Sequence, residues 1–250
     1  MDPNSVNYNA DANVDDASCV NIAKVQNSLF FKYTATWCGP CGDWGAPAFE
    51  EVYDAKKGDI LAFTVQVNDD FTTPLNQPIL DSFALRWNYS GTPNFVVNNT
   101  LLGTSYSGAY TQIDANAAVT PVAGVGLRWS VGGGPNIGKL NIDAYTKFFS
   151  ATSGTYRMGI YVLYKKVVNP QLVDATEVPD FEHHHVMLGS VNGVWGEKVA
   201  EGTITADKIS HLGYVFEYDP SWNIAQIEIQ AILWKKNATG GWDFVNCTVN

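Results

Sequence analysis

The chain has 250 residues, enough for one large domain or two ordinary ones. Hydrophobic residues make up 46% and aromatic residues 13% of the sequence, so the chain can fill a packed core. The formal net charge of −10 argues against a nucleic-acid partner, because such proteins need a basic surface. No apolar run approaches the ~20 residues that cross a membrane, and the first residues lack the pattern of a signal peptide.

The first half of the chain divides into a polar segment and an alternating region. Residues 1–20 are rich in Asn and Asp and have almost no apolar periodicity. Residues 21–121 alternate between strand-like and helix-like patterns, which predicts an α/β layer fold. In chain order the predicted elements are a buried strand at 27–35, a helix at 42–58, a strand at 59–69, a helical region at 74–88 and a strand at 92–99.

The second half, residues 122–250, has a different pattern. β-branched and aromatic runs alternate with Gly-rich or Asn-rich turns, and the only helix considered is a short one at 205–211. The predicted strands lie at 123–131, 138–150, 154–168, 212–219 and 224–236. Several such strands in one region predict an antiparallel sandwich of immunoglobulin-like type.

Two of the four cysteines form a Cys-x-x-Cys motif at Cys38 and Cys41, directly after the first predicted strand. Disulfide exchange needs one thiolate that attacks and a second thiol that resolves the mixed disulfide. A helix N-terminus favours the thiolate, so we expect Cys38 to be an exposed nucleophile and Cys41 a more shielded resolving thiol. Pro40 fits the first helical turn, where a missing N–H group is tolerated. The Cys-x-x-Cys motif has two alternative interpretations: it could be half of a zinc site, or it could be a structural disulfide on a fold that is used for binding.

The sequence Trp37-Cys38-Gly39-Pro40-Cys41, with Thr92-Pro93 before a strand some fifty residues later, resembles the thioredoxin superfamily. The resemblance implies that Pro93 is cis and that the backbone of Thr92 aligns an incoming peptide. We therefore assign substrate contact to Trp37, Gly39, Pro40, Thr92 and Pro93, although Trp37 is also suited to packing around the motif. No cofactor is expected beyond the redox-active disulfide itself.

Lys32 stands where the thioredoxin resemblance implies a buried acid that takes a proton from the resolving cysteine. A buried lysine would have a lowered pKa and would stabilise a nearby thiolate, whereas a lysine that reaches solvent would be structural only. Lys32 is thus a candidate for tuning the site. Asp43, in the first helical turn, is a second and weaker candidate.

The N-terminal segment, DPNSVNYNADANVDDASC, resembles a cysteine-bounded segment of secreted Bacteroidetes proteins. The resemblance places a partner cysteine for Cys19 before residue 1 and implies an extracytoplasmic protein: periplasmic, secreted or associated with the outer membrane. Pairing of Cys19 with Cys247, or a free Cys19, are the alternatives. The alternating oxygen donors suggest a weak calcium site, with a solvated acidic turn as the alternative; its ligands would be Asn9, Asp11, Asn13 and Asp15.

Three adjacent histidines occur at 183–185. We predict a polar, pH-sensitive turn. The alternative is a surface metal site on His183 and His185, which share a face of a strand, with Glu182 or Glu197 nearby. His185-Val186 and the Gly-x-Trp-Gly run at 193–196 resemble a Bacteroidetes outer-membrane-protein family. That resemblance implies an α/β thioredoxin-like domain at 21–121 followed by an all-β immunoglobulin-like sandwich at 122–250.

Two functions follow from these patterns. The first is an extracytoplasmic thiol–disulfide oxidoreductase that acts through Cys38 and Cys41 on the thiols or disulfides of a partner protein. The second is a cell-surface binding or assembly module in which the same two cysteines form a structural disulfide. Neither function involves a nucleic acid or a transmembrane segment.

Overall fold

The structure, a computed structural model, describes residue 2, residues 4–11 and residues 19–249. Within this part of the chain the fold is mostly β-strand, with three α-helices. The elements of the first half are β1 (Ser28–Thr34), a π-type turn (Cys41–Gly45), α1 (Ala46–Lys56), β2 (Ile60–Gln66), α2 (Gln77–Trp87), β3 (Asn94–Val97), β4 (Thr100–Gly103) and α3 (Gly108–Ala117).

The second half consists of strands and two single turns of 3₁₀-helix (Gly134–Asn136 and Ile224–Gln226). Its strands are β5 (Ala123–Val131), β6 (Lys139–Phe148), β7 (Thr152–Ser153), β8 (Tyr156–Val168), β9 (Gln171–Val173), β10 (Thr176–Val178), β11 (Glu182–Ser190), β12 (Glu197–Ala200), β13 (Thr203–Ile204), β14 (Ile209–Glu217), β15 (Ile227–Lys236) and β16 (Trp242–Cys247).

One large sheet runs through both halves of the described chain. Its strand order is β16-β15-β8-β11-β2-β1-β3-β4. The ninth strand of this sheet, β12, also pairs with β8 but lies outside that order. The two halves meet where β11 pairs in parallel with β2, at Val186 and Thr64. A second sheet, β14-β6-β5, has three antiparallel strands. The sheet therefore continues across the boundary expected at residue 121.

Three apolar cores cover the faces of the large sheet. Phe83 and Trp87 of α2 pack on one face and touch residues of both halves, among them Phe31 and Trp234. On the opposite face, α1 and α3 cover the first half, and the three-stranded sheet covers the second half. This arrangement follows from the strand period of two, which sends alternate side chains to opposite faces.

The predicted elements of the first half are confirmed, and their observed ends differ from the predicted ones by a few residues. The main strands of the second half are confirmed as well. Two predictions are wrong. Residues 205–211 form a turn and the start of β14, because Ile209 and Ser210 pair with β6. Residues 182–190 form a strand instead of a turn, because β11 fits between β2 and β8. No helix of the described residues is long and apolar enough to cross a membrane.

Candidate redox site

The two cysteines of the motif lie at the start of the helix that follows β1. They form a disulfide, with the Cα atoms 5.2 Å apart. The backbone N–H of Cys41 donates to the sulfur of Cys38 at 3.2 Å and to the carbonyl of Cys38 at 3.0 Å. Pro40 has helical dihedrals, φ −59° and ψ −26°, so the helical turn begins without needing its N–H. A thiolate on Cys38 would therefore receive a hydrogen bond from the helix N-terminus.

The proline loop lies against the same turn. The Thr92–Pro93 peptide bond is cis, as the thioredoxin resemblance implies. A Cβ atom built on Gly45 would lie 3.0 Å from Cβ of Pro93, so the loop touches the first turn of the helix closely. The structure therefore brings the proline loop and the disulfide together at one edge of the sheet.

Three of the residues assigned to substrate contact remain accessible. Trp37 is 54% exposed, and its indole N–H donates to the carbonyls of Val67 and Asn68, both at 3.1 Å. Pro40 is exposed and Thr92 is half-buried. These three side chains form the solvent-facing rim of the site, whereas Gly39 and Pro93 are buried.

A hairpin from the second half covers the cysteine loop. We call β9, β10 and the turn between them the covering hairpin, residues 171–178. Its backbone donates from Leu172 to the carbonyl of Thr36 at 2.8 Å and from Asp174 to that of Gly39 at 3.2 Å. The side-chain amide of Gln171 donates to the carbonyl of Cys38 at 3.0 Å.

The expectation that Cys38 is exposed is wrong in this oxidised form. Cys38 is 5% exposed and Cys41 is 1% exposed, so the first cysteine is only slightly more accessible than the second. The covering hairpin supplies the reason, since it lies directly against the loop that carries Cys38. A Cβ atom on Gly39 would lie 2.1 Å from the Asp174 carbonyl oxygen, which leaves no room for a side chain.

Lys32 is buried behind the cysteine loop, 3% exposed, so it does not reach solvent. It lies on β1 opposite Thr64 of β2, and its ammonium is 5.4 Å from the ring centroid of Phe49. Burial lowers its pKa to about 7, against a smaller opposing effect of the carboxylate of Glu50. Of the two alternatives for Lys32, the structure thus contains the buried one, and a role in tuning the site stays a prediction. Asp43, the other candidate for tuning, is exposed on the first helical turn.

The histidines of β11 point to different environments. His183 is buried and bonds through Nε2 to the carbonyl of Asn169 at 3.1 Å, and burial lowers its pKa to about 4. His184 forms an ion pair with Glu50 at 3.1 Å, and this hydrogen bond raises the pKa of the histidine. His185 has a left-handed φ of +53° and lies 4.3 Å from Tyr53, measured between ring centroids. Among the described side chains, no three His, Cys, Asp or Glu residues converge as metal ligands.

The remaining candidates lie away from this site. Asn9 and Asp11 are exposed, and the N–H of Asp11 donates to the side chain of Asn9 at 3.0 Å. Asn13 and Asp15 lie outside the described residues, so the calcium site stays a prediction. Cys19 and Cys247 are both free thiols, so the alternative that pairs them is not what the structure contains.

Neither a family model nor a curated protein matches the chain. Among solved structures, HBP35 of Porphyromonas gingivalis aligns with 91% of this chain and 76% of that chain, at a TM-score of 0.73 and 19% sequence identity. A domain of the outer membrane lipoprotein Omp28 from Porphyromonas gingivalis aligns with 52% of this chain and 87% of that chain, at a TM-score of 0.33 and 14% identity, which carries no weight. The likeness to HBP35 shows a related fold.

Proposed function

We propose that the protein is an extracytoplasmic thiol–disulfide oxidoreductase in which a thioredoxin-like unit is joined to an immunoglobulin-like β region. The observation that carries the proposal is the hydrogen bond from the Cys41 N–H to the sulfur of Cys38, at a helix N-terminus beside a cis-proline loop. This arrangement supplies what dithiol exchange needs: a stabilised thiolate, an adjacent resolving thiol and a backbone edge for a peptide.

The proposed reaction starts from the disulfide. A thiolate of a partner protein attacks the sulfur of Cys38, the Cys38–Cys41 bond breaks, and Cys41 leaves as a thiolate. A second partner thiolate then attacks the mixed disulfide and leaves the partner oxidised and the protein reduced. The reverse sequence reduces a partner disulfide, and the relative reduction potentials set the direction. In this scheme Trp37, Pro40 and Thr92 contact the partner at the rim.

The extracytoplasmic location rests on the resemblance of the N-terminal segment to secreted Bacteroidetes proteins. The immunoglobulin-like assignment of the second half is supported by the face-to-face packing of β5, β6 and β14 on β8 and β15.

The test is reduction of insulin disulfides with dithiothreitol as the electron donor. We expect the native protein to exceed the Cys38→Ser variant by at least ten-fold, because only Cys38 can form the mixed disulfide. The matched control is Cys19→Ser, which removes a half-buried thiol outside the motif and should leave the rate unchanged. Equal rates for the native protein and Cys38→Ser would remove the proposal.

The second candidate function is a surface binding or assembly module with a structural disulfide. The covering hairpin and the 5% exposure of Cys38 favour it. The reduction potential separates the two functions. Redox-active pairs equilibrate with glutathione buffers at about −180 to −270 mV, whereas structural disulfides lie below about −300 mV. A pair that stays oxidised in strongly reducing glutathione buffer would support the structural function.

A further inference from the structure

Gln171, the first residue of β9, directs its side-chain amide at the main chain of the cysteine loop. The side chain is 3% exposed. Its Nε2 group donates to the carbonyl of Ala35 at 3.2 Å and to that of Cys38 at 3.0 Å. A third contact, at 2.8 Å, goes to the neighbouring carbonyl of Leu172. One side chain of the second half is thus hydrogen-bonded to the cysteine loop at two places.

The surroundings of Gln171 fix which end of the amide faces the loop. The groups at hydrogen-bond distance from its Nε2 atom are carbonyl oxygens, which accept hydrogen bonds and cannot donate them. An amide turned the other way would bring its own oxygen against these carbonyl oxygens. Gln171 therefore acts on the cysteine loop as a hydrogen-bond donor.

Gly42, next to Cys41, makes the close approach of Gln171 possible. A Cβ atom on Gly42 would lie 2.8 Å from Cγ of Gln171 and 2.5 Å from the carbonyl oxygen of Leu172. Both distances are shorter than an ordinary van der Waals contact, so a side chain at this position would push β9 away. The packing of the covering hairpin on the cysteine loop thus depends on a glycine beside the motif.

The backbone N–H of Cys41 is shared between two acceptors that both belong to Cys38. It lies 3.0 Å from the carbonyl oxygen and 3.2 Å from the sulfur of Cys38. The same carbonyl also accepts from the N–H of Gly42 at 3.3 Å. A carbonyl oxygen has two lone pairs, so Gln171 and Gly42 together can satisfy it. The N–H of Cys41 is then free to bond to the sulfur.

We propose that Gln171 is a positioning residue that stabilises the thiolate of Cys38 through the Cys38 carbonyl. The inference rests on the proposed function, because this thiolate is the nucleophile of that function. Gln171 occupies the carbonyl and leaves the Cys41 N–H to the sulfur of the reduced protein. The positive end of the amide dipole also faces the loop, which favours an anion there. The second half of the chain thereby tunes a thiol of the first half.

Charged side chains near the site have to be kept constant in a test of this idea. The elements around the cysteine loop carry Lys32 on β1, Asp43 on the π-type turn, Glu50 on α1, Asp69 after β2, and Asp174 and Glu177 on the covering hairpin. Gln171 is neutral, so a neutral replacement changes none of these charges. A change in the pH dependence of Cys38 would then report the lost hydrogen bond.

The test measures how fast iodoacetamide alkylates Cys38 in the reduced protein as a function of pH. A Cys19→Ser background removes the half-buried thiol outside the motif, and fragment mass spectra assign the label to Cys38. Only the thiolate reacts, so the midpoint of the profile reports thiolate stability. The plateau at high pH reports access of the reagent to Cys38. The two readouts separate tuning of the thiolate from simple covering.

We expect Gln171→Met to raise the midpoint by about 0.5–1 pH unit, the scale on which oriented dipoles act in partly buried sites. Methionine has a similar length and no donor. Gln26→Met is the matched control, because Gln26 is also a half-buried glutamine that donates to a main-chain carbonyl, that of Val245, at 2.7 Å. It precedes β1, whereas the cysteine loop follows that strand, and its replacement should leave the midpoint unchanged.

Gly42→Ala provides a second test that does not depend on the folding of Gln171→Met. Gly42 lies in the helical turn, so alanine suits its backbone, but the added methyl group displaces β9 and with it the donor. We expect a midpoint raised by a similar amount and a faster plateau. A midpoint that stays in place in Gln171→Met, with or without a faster plateau, would overturn the inference, as would a midpoint that falls in either variant.

The inference and the proposed function can fail separately. Alkylation needs no partner protein, whereas the insulin assay does. Equal insulin reduction by the native protein and Cys38→Ser would remove the proposed function, while a raised midpoint in Gln171→Met would still support the hydrogen-bonding role of Gln171.

Discussion

Lys32 shows how a single buried charge affects the stability of a fold. Its ammonium must leave water on folding, and the neighbouring carboxylate of Glu50 offsets only part of that cost, so the pKa falls to about 7. An aliphatic side chain of similar length would fill the same space without the charge.

The effect of Lys32 on stability should depend on pH with a definite sign. Between about pH 7 and its ordinary pKa of 10.5, the unfolded chain holds a proton on Lys32 that the folded chain does not, so the free energy of unfolding rises with pH. Below pH 7 both states are protonated and the full penalty applies. Lys32→Met lacks this penalty.

We therefore expect Lys32→Met to stabilise the protein most at pH 7 and below, with an advantage that shrinks by about 1 kcal/mol per pH unit up to pH 10. Urea unfolding of both proteins at several pH values measures this difference. Lys165→Met, exposed on β8, should show a difference that does not vary with pH. A constant difference for Lys32→Met as well would mean that Lys32 is not desolvated.

At the scale of single elements, the covering hairpin lies over the loop that carries the disulfide. Its two strands have three residues each, and they are held to the cysteine loop by main-chain hydrogen bonds to Thr36 and Gly39. Strands this short have few contacts of their own, so in the proposed exchange reaction local opening is the expected route by which a partner reaches Cys38. Gly39 lies close to the Asp174 carbonyl. Replacing Gly39 with alanine adds one methyl group at this contact and therefore tests the packing.

We expect Gly39→Ala to displace the covering hairpin. The new Cβ would lie 2.1 Å from the Asp174 oxygen, and such overpacking costs about 1–3 kcal/mol. The free energy of unfolding in urea should fall by that amount, and alkylation of Cys38 in the reduced protein should become faster. Gly133→Ala is the control, because no atom lies within 4 Å of its added Cβ and its φ of −114° suits alanine. Unchanged alkylation and stability in Gly39→Ala would show that the hairpin does not hold the loop.

At the scale of the whole molecule, the two halves share a sheet and a core. Phe83 of α2 lies in contact with Phe31 and Phe63 of the first half and with Tyr161, Trp195 and Trp234 of the second. Since β2 pairs with β11, removing either half would expose a row of unpaired backbone groups in the centre of the sheet. The halves should therefore unfold together.

We expect a single cooperative unfolding transition, with the same midpoint by far-UV circular dichroism and tryptophan fluorescence. Phe83→Ala should lower the free energy of unfolding by about 3–5 kcal/mol while keeping one transition, since the residue is fully buried in the shared core. Leu85→Ala, on the same helix but 85% exposed, is the matched control and should have little effect. Two separate transitions would contradict a shared core.

Local sequence patterns predicted the parts of this fold that carry strong periodicity. Buried runs such as Leu29–Phe31 identify β1, because a strand pattern depends on neighbours along the chain. The disulfide and the cis bond were implied by the resemblance of the Cys-x-x-Cys and the Thr-Pro pair to the thioredoxin superfamily. The helix α3 and the strands β9 and β10 were not predicted. The first has weak amphipathicity, and the others are too short to show a period.

By itself, the sequence determined the alternation of strands and helices, the β-rich second half and the position of the Cys-x-x-Cys motif. Only the tertiary structure decided that Lys32 is buried, that Cys38 is covered and that His184 faces Glu50. The reason is physical: burial and ion pairing depend on which distant segments pack together. The pairing of β11 with β2 and the folding of residues 171–178 over the cysteine loop join parts of the chain that lie more than a hundred residues apart.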